Sequence, residues 1–309
     1  MLANFLNKSK PINFIGLLIF FFICYSVSVF FIVFNNSFTI DKFLESTILL
    51  LFFLAVFFFY NFILSKNKLT FDNSYAYYLF TLLIICVLPD LLAYQNLILA
   101  IIYLLFLRKM YSLRTSKNVL QKLFDSGFWL GVLFILEPLS FLFLVIIFIG
   151  VYVHQKITMH TLFAPIIGFV CPLFLYFSYL FWIDKTEVFT ALFNYNFNID
   201  LQFYNTPKYI ILFTSIFAVS LFSIVIKSIA TIAVNNTFRK SWYLLIANFL
   251  VVALFLLLLP VRNGSELVFV IIPVSIIIAN GIELIKKTFI KNIVLYSFLF
   301  GAIFLHFFL

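Results

Sequence analysis

Charged residues are scarce in this chain. They make up only 10% of its 309 residues, whereas hydrophobic residues make up 65%. A soluble domain carries about 25% charged residues, so a water-facing surface cannot be covered here and a soluble globular domain is excluded. The solvent for most of the chain must therefore be lipid. The 47 phenylalanines add bulk without indicating a particular chemistry.

Cysteine and histidine are also few, with three residues of each. The cysteines lie singly inside apolar runs, without a C-x-x-C pair, which is typical of inert buried thiols rather than of metal ligands or disulfides. A membrane iron centre would need several imidazoles to converge on one metal. The histidines are too dispersed for that: His154, His160 and His306.

Long apolar runs predict membrane-spanning helices, since a span needs roughly 17–25 mostly apolar residues. The sequence predicts an all-α, polytopic transmembrane helical bundle that forms a single integral membrane domain over residues 1–309. We expect about eleven spans, at about 12–34, 47–64, 75–88, 91–107, 119–137, 139–153, 162–183, 209–231, 242–260, 266–283 and 292–309. The first has no A-x-A cleavage site and is predicted to be an uncleaved signal anchor.

The distribution of basic residues predicts the orientation of these spans. With the N-terminus in the cytoplasm, sixteen of the twenty lysines and arginines fall on the cytoplasmic side; the four outside are Lys42, Lys185, Lys208 and Arg262. This asymmetry is typical of an inner-membrane protein, and it predicts a C-terminus on the external side. The net charge of +9 is then explained by topology and by anionic membrane lipids as partners, with no nucleic acid.

Two proline-containing turns are part of this topology, at Pro89-Asp90 and Glu137-Pro138, because the residue before a proline disfavours helical geometry. Without the second turn, the basic residues would divide into twelve inside and eight outside. Whether residues 75–107 and 119–153 are full spans or re-entrant hairpins stays open.

Two polar stretches connect the predicted spans: a basic cytoplasmic loop at about 108–122 and an external loop at about 184–208. Polar and apolar residues alternate from Asn196 to Phe203, which is a strand period. The stretch is either an extended lid or an interfacial loop whose aromatic rings dip into the lipid headgroups.

Eight of the eleven acidic residues are predicted to lie on the external side, several of them at short hairpin tips close to the bilayer. An ionised carboxylate is costly there unless it is paired or hydrated. We therefore consider Asp41, Asp90 and Glu137 as candidate catalytic residues, acting as a base or holding a divalent cation. Arg262 and Glu266 are candidates for binding a substrate phosphate. The alternative is that hairpin tips simply need polar residues.

The stretch from Phe124 to Pro138, followed by Ala164-Pro165 and Cys171-Pro172, resembles the middle of multi-pass GT-C-type glycosyltransferases. Those proteins take a sugar from a polyprenyl-phosphate carrier at the external membrane face. The resemblance implies a polyprenyl-phosphate-linked sugar as substrate, Asp41 as the base or metal-binding acid of the first external loop, and Arg262 near the carrier phosphate. A divalent cation is implied only in this case.

Three functions therefore stay open. A carrier-lipid transferase predicts that four residues converge on one external cavity: Asp41, Asp90, Glu137 and Arg262. A transporter predicts a cavity at the membrane midplane, lined by helices that Pro165, Pro172 and Pro273 interrupt. A non-catalytic complex subunit or assembly factor predicts instead an apolar face for a membrane protein partner.

Overall fold

The computed structural model describes residues 1–35, 38–154, 156–195, 199, 201–232 and 236–308, and within these ranges it contains helices and no strand. The described helices, α1 to α13 in chain order, are Leu2–Leu6, Pro11–Ile32, Ile40–Asn67, Tyr75–Cys86, Tyr94–Ser112, Val119–Leu136, Leu144–Val153, Met159–Trp182, Thr186–Ala191, Pro207–Thr231, Asn236–Leu258, Leu267–Glu283 and Thr288–Phe307. Three short 3-10 turns complete them, at Leu88–Leu91, Pro138–Phe143 and Gln202–Tyr204.

Seven of the described helices are long and apolar enough to cross a membrane: α2, α3, α6, α8, α10, α11 and α13. The prediction of an all-helical chain with several helices able to span a membrane is thus confirmed for the described residues. Three other predicted spans correspond to shorter apolar helices, α4, α12 and the segment Pro138–Val153. The remaining predicted span, at about 91–107, corresponds to the 19-residue helix α5. The count of about eleven spans and the orientation of the termini stay predictions.

Both predicted proline turns interrupt the helices. A 3-10 turn over Leu88–Leu91 separates α4 from α5, and α6 ends at Leu136, directly before Glu137-Pro138. The prolines expected to break the later spans do not do so, and that prediction is wrong: α8 continues through Pro165 and Pro172, and α12 through Pro273. Proline is tolerated inside membrane helices because neighbouring groups satisfy the backbone carbonyls that it frees.

One of the two predicted loops is shorter than expected. The predicted basic loop narrows to residues 113–118, because α5 continues to Ser112 and α6 begins at Val119. In the predicted external loop, α9 forms one short helix. Residues 196–198 and 200 of the expected strand lie outside the described residues, and Gln202–Tyr204 form a 3-10 turn instead of a strand.

The chain divides into two compact units. Unit 1 comprises Met1–Leu97, Leu201–Val234 and Asn263–Leu309, and unit 2 comprises Ile98–Asp200 and Asn235–Arg262. The single membrane domain over residues 1–309 stays a prediction.

Unit 1 is built around its two short helices. Every residue of α4 is buried, and so is almost all of α12, as expected for helices that are apolar on all sides. These helices pack on each other, and α2, α10 and α13 surround them. The ring of Tyr60 on α3 stacks on Phe80 with centroids 3.8 Å apart, and its hydroxyl lies 2.6 Å from Oγ of Ser275 on α12.

A buried ion pair joins three segments of unit 1. Nζ of Lys227 on α10 lies 2.9 Å from Oε2 of Glu283 at the end of α12, and the two side chains are 1% and 6% exposed. The other carboxylate oxygen accepts hydrogen bonds from the backbone N–H of Phe71 at 2.9 Å and from Nδ2 of Asn73 at 2.6 Å. The loop between α3 and α4 is thereby fixed to α10 and α12.

In unit 2, glycines allow α6 and α8 to pack backbone to backbone. A β-carbon on Gly127 would overlap the carbonyl oxygen of Pro165, and one on Gly131 would overlap that of Phe169. Gly168 of α8 approaches the carbonyl oxygen of Phe124 in the same way. Small residues four apart are typical of tight contacts between membrane helices, because lipid offers no hydrophobic driving force for helix association.

We expect Glu283→Gln to destabilise the protein strongly. It leaves the buried ammonium of Lys227 without its carboxylate, which costs about 3–5 kcal/mol. Asp125→Asn is the matched control. It removes the partner of Lys109 in a pair whose side chains are both 26% exposed, where about 0–1 kcal/mol is expected. Thermal unfolding of the detergent-solubilised variants measures the difference.

A double variant, Lys227→Met with Glu283→Gln, should recover much of the lost stability. It removes the buried cation and keeps an acceptor for Phe71 and Asn73. Equal unfolding midpoints for Glu283→Gln and Asp125→Asn would contradict a structural role for the pair.

Candidate functional site

Two of the predicted site residues meet in unit 1. Asp90 lies in the 3-10 turn after α4, and Glu266 precedes α12. The hydroxyl of Tyr209, near the start of α10, lies beside Asp90 at Gly264, and its ring contacts Tyr204, whose hydroxyl donates to Glu266. The topology therefore brings together acids from two distant hairpin tips.

Asp90 is held by a cation as well as by this tyrosine. Nζ of Lys208 lies 3.4 Å from its Oδ2, and both side chains are largely buried. Gly264 makes the cluster sterically possible. Its φ is +84°, and a β-carbon there would lie 2.7 Å from the Tyr209 hydroxyl and 2.8 Å from Cγ of Asp90. Only glycine meets both requirements without strain.

Glu266 is buried and has its own hydrogen-bond donors. One carboxylate oxygen accepts from the hydroxyl of Tyr204, and the other accepts from the backbone N–H of Asn263 at 3.3 Å. The ring of Tyr204 packs edge-on against Tyr209 at 5.5 Å and against Phe213 at 4.9 Å. We call Asp90, Lys208, Tyr204, Tyr209 and Glu266 the polar cluster.

An apolar groove of about 600 Å³ runs along unit 1. Its walls are α4, α10, α13 and the end of α12. One end lies at Leu212, about one helical turn beyond Lys208 of the polar cluster. The other end reaches Ile226 and Ile282, the neighbours in sequence of Lys227 and Glu283. The groove thus extends between the polar cluster and the buried ion pair.

The other predicted site residues lie apart from the polar cluster or in unit 2. Asp41 is exposed in the first turn of α3, and in the described part of unit 1 neither a hydrogen bond nor an ion pair joins it to Asp90 or Glu266. Glu137 follows the last residue of α6 and is half-buried. Nη2 of Arg262 donates to the carbonyl oxygen of Leu257 at 3.0 Å.

A ready-made metal site is absent from the described ranges, since no group of three or more His, Cys, Asp or Glu side chains lies close enough to hold an ion. Asp90 and Glu266 are the carboxylates best placed to approach one. A divalent cation there would compete with Lys208 for Asp90 and with the donors of Glu266.

Sequence reasoning missed the partners of the two acids. Lys208 was among the only four basic residues predicted on the external side, and this exception to the charge asymmetry was a signal for it. Tyr204 and Tyr209 gave no signal, because tyrosine is common throughout this chain, with 16 residues.

Comparison with known proteins identifies a family and no further relative. No curated protein and no solved structure matches the chain significantly. One family model, described as a family of unknown function, DUF6427, matches residues 1–309. The chain therefore belongs to the DUF6427 family of proteins of unknown function.

Proposed function

We propose that this protein resides in the inner membrane and binds a lipid that carries a sugar on its head. The lipid tail would occupy the unit 1 groove, and the head would contact the polar cluster. One observation carries this proposal: Asp90 and Glu266, from two separate hairpins, meet beside one end of a long apolar groove.

The groove suits a lipid chain in length and in chemistry. Along α10 its lining extends from Ile211 to Ile226, about 22 Å at 1.5 Å per residue, which is most of a hydrocarbon core about 30 Å thick. Phe222 and Phe304 line it and are also exposed, so the groove is open along its length. A lipid can therefore enter sideways from the bilayer.

The polar cluster suits a head with many hydroxyl groups. Carboxylates accept hydrogen bonds from hydroxyls, and such charge-assisted bonds are stronger than those between neutral groups. The rings of Tyr204, Tyr209 and Phe203 offer flat apolar surfaces around the same carboxylates. Binding sites commonly combine an apolar wall with a few well-placed polar groups of this kind.

A narrower version of the proposal is sugar transfer from a polyprenyl-phosphate carrier, as the resemblance to GT-C-type glycosyltransferases implies. Asp90 would accept the proton of an acceptor hydroxyl while the hydroxyl oxygen bonds to the sugar. The polyprenyl phosphate would leave with the electron pair of the bond that breaks. Asp41, Glu137 and Arg262 are further candidates from the sequence, the resemblance adds roles for Asp41 and Arg262, and a divalent cation enters only through the resemblance.

A non-catalytic membrane subunit is the second candidate. It is favoured by the partners that Asp90 and Glu266 already have, because a structural cluster needs no substrate to satisfy its charges. A helical membrane protein would then cover an apolar face. A transporter function has less support. It was expected to need interrupted helices, and α8 and α12 are continuous.

Filling the groove should displace the lipid. Gly301 lines the groove, and a β-carbon there meets nothing within 4 Å, so Gly301→Leu fits at its β-carbon and places bulk in the groove. We expect several-fold less co-purified lipid, measured by native mass spectrometry of protein extracted in mild detergent. Gly16→Leu is the matched control. Gly16 has the same open surroundings in α2 but lies outside the groove.

Lipid retention that is equal in the wild type, Gly301→Leu and Gly16→Leu would overturn the proposal. Both substitutions replace a helical glycine by a stronger helix former, so a difference between them reports on the groove rather than on helix stability.

Asp90→Asn separates an enzyme from a structural subunit. If Asp90 accepts a proton, the variant should lose complementation of a deletion strain while its membrane level stays unchanged. Asp41→Asn and Arg262→Gln test the residues that the resemblance implies. Full complementation by all three variants, with membrane levels checked by immunoblot, would remove the catalytic version and leave lipid binding or a structural role.

A further inference from the structure

A polar pocket lies in unit 2, and none of its lining residues belongs to the polar cluster. It has a volume of about 250 Å³ and is formed by the turn after α5, the end of α7 and the start of α11. We call it the basic pocket; its lining residues are Arg114, Ser116, His154, Lys156, Asn236, Thr237 and Lys240.

The charge of the basic pocket is positive. Arg114, Lys156 and Lys240 line it without an acidic residue, and in the described part of the chain neither Lys156 nor Lys240 has a carboxylate within salt-bridge distance. The nearest acid in sequence, Asp125 of α6, is already paired with Lys109 at 2.6 Å. The 23-residue helix α11 begins at Asn236, so its positive dipole end also faces the pocket.

His154 supplies a second, independent observation. The residue is only 7% exposed, and among the described residues its Nε2 atom has no hydrogen-bond partner. Buried polar atoms without a partner are rare and call for an explanation. Because His154 lines the basic pocket, a bound ligand would provide the missing partner.

The electrostatic surroundings of His154 are positive. Burial, followed by the charges of Lys240, Lys156 and Lys122, lowers the pKa of its imidazole from 6.5 to about 4. The ring is therefore neutral at physiological pH. Among the cations, Lys240 belongs to α11, Lys122 to α6, Lys156 to the segment after α7, and Arg114 to the turn after α5.

We propose that the basic pocket binds a phosphate ester, with Arg114, Lys156 and Lys240 neutralising the oxyanion and Nε2–H of His154 donating a hydrogen bond to it. An adjacent groove of about 580 Å³ shares Asn236 and Lys240 with the pocket. It is lined further by Arg239 and by Tyr152, Ile157 and Tyr243, which offer an apolar and aromatic wall for the rest of the molecule. The source of the phosphate is a lipid headgroup or a soluble ester.

An NMR titration of the histidine side chains tests the proposed phosphate binding, because the chain contains only three histidines. We expect histidine-labelled protein in a phosphate-free maltoside detergent to give an NMR titration of His154 with a pKa near 4. Addition of inorganic phosphate should raise this pKa, because a bound anion stabilises the imidazolium and offsets the lysine charges. The resonances of His160 and His306 should not respond.

Titrations in detergent and in lipid vesicles distinguish a soluble phosphate ester from a lipid headgroup. A response to inorganic phosphate in detergent indicates a soluble ester. A response only in phosphatidylglycerol vesicles, and not in vesicles of phosphate-free digalactosyldiacylglycerol, indicates a lipid headgroup. Either result supports the proposal. It is overturned if His154 responds in neither arm, or if sodium chloride at equal ionic strength moves its resonance as far as phosphate does.

Lysine substitutions test whether the cations of the basic pocket bind the anion. Lys240→Gln and Lys156→Gln should each weaken binding of the effective probe about tenfold, as expected for the loss of one charge-assisted contact. Lys117→Gln is the control, because Lys117 is exposed in the same turn as Arg114 and lies outside the pocket. Equal affinities for Lys240→Gln, Lys156→Gln and Lys117→Gln would contradict the assignment of the site.

Discussion

Lipid forms no hydrogen bonds, so a charged side chain within the spans of this chain needs a partner in the protein itself. Unit 1 meets this constraint at Lys227 and Glu283. The ion pair needs α10, α12 and the loop between α3 and α4 in one arrangement, because the carboxylate of Glu283 also accepts hydrogen bonds from Phe71 and Asn73. The short, fully buried α4 follows directly on that loop, and it forms one wall of the groove.

The polar cluster meets the same constraint at the other end of the groove. Glu266 is buried and Asp90 is largely buried, and Lys208, Tyr204 and Asn263 provide the donors that water would provide elsewhere. Between the two satisfied ends, the walls are almost entirely apolar. Such a groove matches an amphipathic molecule, with its tail along α10 and its head at the cluster, and the proposed lipid binding follows from this arrangement.

The hydropathy of the sequence predicted the helices well, because a long apolar run in lipid has no alternative to helix. It also predicted the breaks at Pro89-Asp90 and Glu137-Pro138. It failed at Pro165, Pro172 and Pro273, where packing decides whether proline interrupts a helix. It named Asp90 and Glu266 as site candidates, but it could not predict that the two would meet, or that Lys227 would reach Glu283. Those contacts join residues far apart in sequence, and no local pattern encodes them.

Photo-crosslinking with a lipid that carries a diazirine in its tail and a sugar on its head tests the lipid-binding account most directly. The crosslinked residues are mapped by mass spectrometry after illumination in native membranes. The account predicts crosslinks inside the groove, at buried lining residues such as Ile216 and Ala302, and their loss when unlabelled lipid competes. Crosslinks confined to outward-facing residues such as Leu221 and Ile229, insensitive to competition, would contradict it.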